Sequence, residues 1–178
     1  MPGRSGRRVA DGPAPIIVTA LFAPADFAFL DALRRRHFPP ERNRLPAHLT
    51  LFHHLPPSIG PELAGRLRDA TRAVPAPPAR LSGLINLGGG AAFRVESAAL
   101  AEIRGHLADA FAPLLTPQDA AGWWPHVTIQ NKVTADVARD TVAALAEHFQ
   151  PRPLGLIGLA SWYYRGGPWE AIGRYRFA

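Results

Sequence analysis

The sequence contains no cysteine, a single methionine and a single lysine. Without thiols there is no disulfide, no thiolate nucleophile and no cysteine-based zinc site. The same lack suits a reducing compartment, and a cytoplasmic location is the expectation. Because Lys132 is the only lysine, nearly all positive charge is carried by arginine, and the formal net charge is +6. A guanidinium is the better planar, bidentate partner for phosphate, so an anionic ligand suits this composition. Three of the arginines (Arg4, Arg7, Arg8) sit in the opening stretch, however, and charge alone decides nothing about ligands. No apolar run approaches the length needed to span a bilayer. The opening MPGRSGRRVADGPAP has no apolar segment of the kind that directs secretion. Residues 1–14 are expected to form a flexible basic tail, with a single domain over 15–178. The expected protein is monomeric and has no membrane partner.

Apolar residues make up 47% of the chain and charged ones 19%, enough for one domain with a hydrophobic core. PIIVTALF (15–22) reads as a short buried strand, and residues 24–37 as a helix with Phe27, Leu30 and Leu33 on one face. HLTLFHHL (48–55) reads as a second strand. A helix opens at Pro61 and runs to about Val74, where the VPAPPAR segment ends it. Residues 80–96 read as a hairpin around GGG. Ser97 caps a third helix bearing Leu100, Ile103, Leu107 and Phe111. A loop with a Trp pair then leads into HVTIQNKV (126–133), another strand. Thr134 caps a fourth helix with Ala138, Val142, Leu145 and Phe149 on its face, and PRP stops it. LGLIGLASWYY and WEAIGRYRF form a last hairpin. The order strand, helix, His-x-Thr strand, helix, strand occurs twice, and the two motif histidines lie 78 positions apart (126 less 48). This is the pattern of a degenerate internal duplication. The fold class it predicts is α+β: two pseudo-symmetric, mainly antiparallel sheets flanked by helices, with a central cleft.

Side chains alternate along a strand. Alternation places His48, Thr50, Phe52 and His54 on one face of the first motif strand, with Leu49 and Leu51 on the other. It places His126, Thr128, Gln130 and Lys132 on one face of the second, opposite Val127, Ile129 and Val133. Each strand thus has an apolar face to bury and a face that suits a wet groove. Two such faces meeting would bring together two imidazoles and two hydroxyls. Imidazole titrates near neutral pH, so one can act as base while the other acts as acid. The threonine hydroxyls can hold non-bridging phosphate oxygens. Phosphodiester cleavage needs these groups and no metal. A single His-x-Thr would mean little; two, both after a Pro-containing entry (PAH, WPH) and both in the same slot of a repeat, mean much more.

At PAHLTLFHHL and WPHVTIQNKV the chain resembles the two-histidine (2H) phosphoesterase superfamily, especially its bacterial 2′-5′ RNA ligase/cyclic phosphodiesterase branch. The duplicated order extends the match over nearly all of the chain beyond the tail. The resemblance implies a bilobal fold with one His-x-Thr from each lobe and no cofactor. It also implies hydrolysis of 2′,3′-cyclic phosphates on RNA or nucleotides, sometimes with reversible 2′-5′ ligation. On it, His48 and His126 match the acid/base pair, and Thr50 and Thr128 the phosphate-binding hydroxyls. Which histidine is acid and which is base stays open, as do the substrate and the choice between hydrolysis and ligation. The alternative is a module that binds RNA ends or nucleotides without turnover.

Further candidates follow from position. Trp124, beside Trp123, and Tyr163, near Tyr164 and Trp169, are aromatic surfaces for a base at the cleft edge. Phe52 shares the His48 face and is expected to touch a ligand, and Gln130 and Lys132 to meet phosphate. His53 and His54 point to opposite faces by alternation, so they cannot both join His48 in a metal site.

Overall fold

The computed structural model describes residues 13–178; the expected tail falls outside the described residues, apart from its last two positions, where Ala14 is already buried. Strand β1 (Ile16–Phe22) is followed by helix α1 (Pro24–His37), β2 (Leu49–Leu55) and α2 (Gly60–Thr71). A hairpin of β3 (Arg80–Asn86) and β4 (Ala91–Glu96) leads to α3 (Ala98–Ala110) and the short α4 (Pro117–Ala120). Then come β5 (His126–Gln130), α5 (Ala135–Ala146), the two-residue β6 (Arg152–Pro153), and the hairpin of β7 (Leu156–Tyr163) and β8 (Glu170–Arg176). The caps read from sequence form: Ser97 Oγ accepts from Leu100 N–H, and Thr134 Oγ1 from Val137 N–H. Not anticipated were α4 in the Trp-pair loop, the small strand at PRP, and two single-turn 3-10 helices at Pro57–Ile59 and Ala112–Leu114.

The strands form two four-stranded sheets, ordered β2-β1-β7-β8 and β5-β4-β3-β6, and all their pairings are antiparallel. The duplication is thus visible as β2 matching β5, β1 matching β4 and β7 matching β3. The third strand of each repeat crosses over: β3 joins the sheet of the second half and β7 that of the first. The strands are thus exchanged between the two repeats, and one core cluster draws on both sheets, with Val18, Leu51 and Leu159 from one and Phe93, Val127 and Ile129 from the other. Helices α1 and α5 pack on the second sheet and α2 on the first. Leu30, Leu63, Leu67, Leu100 and Leu107 are buried as their spacing predicts, whereas Phe27 stays 37% exposed. Among the described residues, no helix is long and apolar enough to cross a membrane.

Both motif strands, β2 and β5, lie at the edge of their sheets, and they approach each other across the cleft. Each carries a bulge just after its motif. Thr19 pairs with Thr50 but Val18 with Phe52, leaving Leu51 extra; Ala92 pairs with Thr128 but Ala91 with Gln130, leaving Ile129 extra. An extra residue reverses the alternation beyond it. At the second bulge the neighbouring strand comes very close: a Cβ on Gly90 would overlap the Gln130 carbonyl, so only glycine fits there.

Candidate active site

A cavity of about 490 Å³ lies between the two edge strands, and His48, Thr50, His126 and Thr128 all line it. Both histidines are held in the same way. His48 Nδ1–H donates to the Pro46 carbonyl at 2.8 Å, and His126 Nδ1–H to the Trp124 carbonyl at 2.7 Å. Each acceptor is two residues before its histidine, in the Pro-containing entry that marks both motifs. Because a carbonyl can only accept, the bond fixes the tautomer and leaves Nε2 as the free nitrogen of each ring. Among the described residues, neither threonine hydroxyl has a hydrogen-bond partner, so both are available to a ligand. Burial depresses the His48 pKa to about 4; the Pro46 hydrogen bond opposes this, while the nearby positive charge of Arg34, His126 and His53 adds to it. The His48 ring is therefore uncharged at pH 7.

Two buried arginines brace the motif strands from helices. Arg34 of α1 donates from Nη1 to the Thr128 carbonyl at 2.9 Å and from Nε to Asn43 at 2.9 Å. Arg104 of α3 donates from Nε to the Leu51 carbonyl at 3.2 Å and from Nη2 to the Asp119 carbonyl at 2.6 Å. Trp123 Nε1–H donates to the Thr50 carbonyl at 3.0 Å. Edge strands expose unpaired carbonyls, and these three donors satisfy them at the motifs. Asp31 holds the entry to His48 by accepting from Ala47 N–H at 2.9 Å.

The bulges correct several sequence expectations. Phe52 is not in the groove: the bulge turns it into the core, where it is fully buried under the Arg104 guanidinium. His53 takes its place in the cavity lining, and it, rather than His54, joins His48. Gln130 is turned the same way, is 2% exposed, and donates to Thr141 Oγ1 on α5 at 2.8 Å. Lys132 lies beyond the end of β5, in a turn with φ of 64°, and is exposed away from the cavity lining. Tyr163 pairs with Ile16 on the core-facing side of β7; its neighbour Trp162, opposite Ile17, faces the other way. Trp124 does line the cavity, at its rim, and is 74% exposed.

Sequence reasoning missed Asp119 and Arg104 and gave His53 no place in the groove, yet all three line the cavity, as does Trp169, named from the sequence among the aromatics of the last hairpin. Asp119 is buried and accepts from the backbone N–H of His53 and of His54, each at 2.9 Å, and from His53 Nδ1 at 3.1 Å. The Trp169 ring packs edge-on against His48, with centroids 4.7 Å apart. Among the described residues, no group of three or more His, Asp or Glu is placed to hold a metal ion.

Two antiparallel sheets with exchanged strands, whose edges meet at one groove with a histidine from each, define a bilobal fold of the two-histidine phosphoesterase type. Residues 22–168 match the model of the 2′-5′ RNA ligase superfamily, and the chain belongs to that superfamily. Among solved structures, it is similar to the Thermus thermophilus protein TT0787 at 15% identity and a TM-score of 0.61, over 92% of this chain and 97% of that one. It is also similar to E. coli LigT in its apo form (14% identity, TM-score 0.59, 93% and 98% covered). The LigT structure complexed with 3′-AMP gives 18% identity and a TM-score of 0.55, with 94% and 99% covered. No curated protein sequence matches the chain.

Proposed function

We propose that this protein is a metal-independent phosphoesterase that opens 2′,3′-cyclic phosphates on RNA or nucleotides, with His48 and His126 as its acid/base pair. The observation that carries this reading is the matched preparation of the two rings: each Nδ1–H is tied to the carbonyl two residues back, leaving both Nε2 atoms free at one cavity beside two unpartnered threonine hydroxyls. His48, kept neutral by burial, is the base. It takes a proton from water as the water oxygen bonds to phosphorus. The bond from phosphorus to one ribose oxygen breaks, and His126 gives that oxygen a proton. Thr50 and Thr128 donate to the non-bridging oxygens, on which charge grows in the transition state. E. coli LigT has been crystallised with 3′-AMP, NADP+ and ATP, which supports a nucleotide as the occupant of the groove. The superfamily's name supports a related reaction in the same groove: a ribose 5′-hydroxyl replaces water, and a 2′-5′ bond forms as the phosphorus–O3′ bond breaks.

The test is a panel of nucleoside 2′,3′-cyclic phosphates followed by phosphorus NMR. Ring opening to a monophosphate is expected, at a rate that chelator leaves unchanged. Binding without product at any pH would favour a non-catalytic module, and strong inhibition by chelator would overturn the metal-free reading. The pH profile gives an independent check. If His48 is the base, kcat/KM falls on the acid side only near pH 4 rather than near 6.5, because burial favours the neutral ring. The same shift has a consequence for stability. Between about pH 6.5 and 4 the unfolded chain binds a proton that the folded chain refuses, so the fold weakens as the pH drops through that window. An acid limb at pH 6–7 would remove His48 from the base role.

A further inference from the structure

A second cavity, of about 580 Å³, adjoins the groove and shares its wall: His48 and Trp169 line both. From the catalytic side a line of rings runs into it. His48 and Trp169 are 4.7 Å apart between centroids, Trp169 and Trp162 6.3 Å, and the Arg174 guanidinium lies 5.6 Å from the Trp162 ring. Trp162 is locked in place by its Nε1–H, which donates to Thr19 Oγ1 at 2.9 Å. The half-exposed ring of Phe27 and the exposed side chain of Arg44 complete the pocket. Among the described residues, no carboxylate pairs with Arg44 or Arg174, so both present open charge at its rim.

We propose that this cavity is a second nucleotide subsite, which takes the base and phosphate of the nucleotide preceding the cyclic end. The proposal rests on the function proposed above and narrows it: the site is built for the end of an RNA strand rather than for a lone cyclic mononucleotide. The chemistry fits each part of a nucleotide. Fixed aromatic faces accept any base by stacking, without reading its edge. Guanidinium groups at the rim match a phosphodiester, the anion that a strand carries and a free nucleoside cyclic phosphate lacks at its 5′ side. The shared His48–Trp169 wall puts the two subsites side by side, as neighbouring nucleotides of one strand require.

The experiment compares a nucleoside 2′,3′-cyclic phosphate with a trinucleotide ending in the same cyclic nucleoside, for the wild type and for the R44A/R174A double variant. Both arginines are exposed, so the variant is expected to fold. The wild type is expected to favour the trinucleotide by about tenfold or more in kcat/KM, mainly through KM, as one stacked base and one neutralised phosphate would give. In the double variant the preference should shrink severalfold, by the share that the phosphate contact supplies. A wild type with no preference, or a variant that keeps it in full, would overturn the subsite. Binding of a dye-labelled trinucleotide with a 3′-phosphate, followed by anisotropy, separates the two ideas. If neither cyclic substrate is opened, the proposed catalysis fails. Binding that weakens about tenfold in the double variant, with a shallower salt dependence, would still support the subsite. Binding indifferent to the two arginines would refute it.

Discussion

Alanine at either His48 or His126 is expected to lower kcat/KM on a cyclic phosphodiester by about a thousandfold or more. Proton transfer by one positioned side chain contributes roughly 10²–10⁴ in rate, and here each ring also places its proton by a fixed Nδ1 bond. The two losses should not add. Once one ring is gone, the other has no concerted step to complete, so the double variant should be about as slow as the worse single one. Neither ring is part of the buried core, so folding should survive both changes. Thermal melts alongside the kinetics separate lost chemistry from lost structure. Near-normal turnover by either single variant, on every cyclic substrate that the wild type opens, would sink the paired acid/base account.

Asp119→Ala is expected to cost about 2–4 kcal/mol of stability, the penalty of leaving two backbone N–H donors without an acceptor. Burial by itself pushes this carboxyl up. The hydrogen bonds from the His53 ring and from the backbone N–H groups of His53 and His54 outweigh it and hold the group below the usual aspartate value. Its contribution is therefore present at neutral pH and lost as the pH falls through that lowered value. Removing the carboxylate leaves those N–H groups at the far end of β2 without an acceptor and frees His53 in the groove. Urea unfolding should show a lower midpoint with little change in slope. A shift below about 1 kcal/mol would show that β2 is held by other means.

Much of this architecture is legible in the sequence, because local rules decide it. Hydrophobic spacing marks α1, α2, α3 and α5; Ser97 and Thr134 cap where expected; and the two His-x-Thr strands follow from alternation within three residues. What was not legible is set by contacts between distant segments. The bulges that bury Phe52 and Gln130 depend on pairing with β1 and β4, and alternation counted along one strand cannot detect an extra residue opposite another. The same limit hides the exchange of β3 and β7 and the face on which Trp162 rather than Tyr163 lies. Arg34 and Arg104 look like ordinary helix arginines until the carbonyls of the opposing edge strands appear beside them. Asp119 is different, because a local signal existed: Thr-Pro-Gln-Asp reads as a capped helix start, and Thr116 does cap it by accepting from Asp119 N–H. That signal would have replaced a featureless loop with a fixed turn carrying a carboxylate next to the groove.

The claim that both motifs act on a single phosphorus is tested most directly by a crystal structure of the protein with a nucleoside 2′- or 3′-monophosphate, the product of ring opening. The expected result is one phosphate in the groove between β2 and β5, with Nε2 of His48 and of His126 and the hydroxyls of Thr50 and Thr128 all within hydrogen-bond reach of its oxygens. A phosphate held by one motif alone, or bound elsewhere on the molecule, would contradict it.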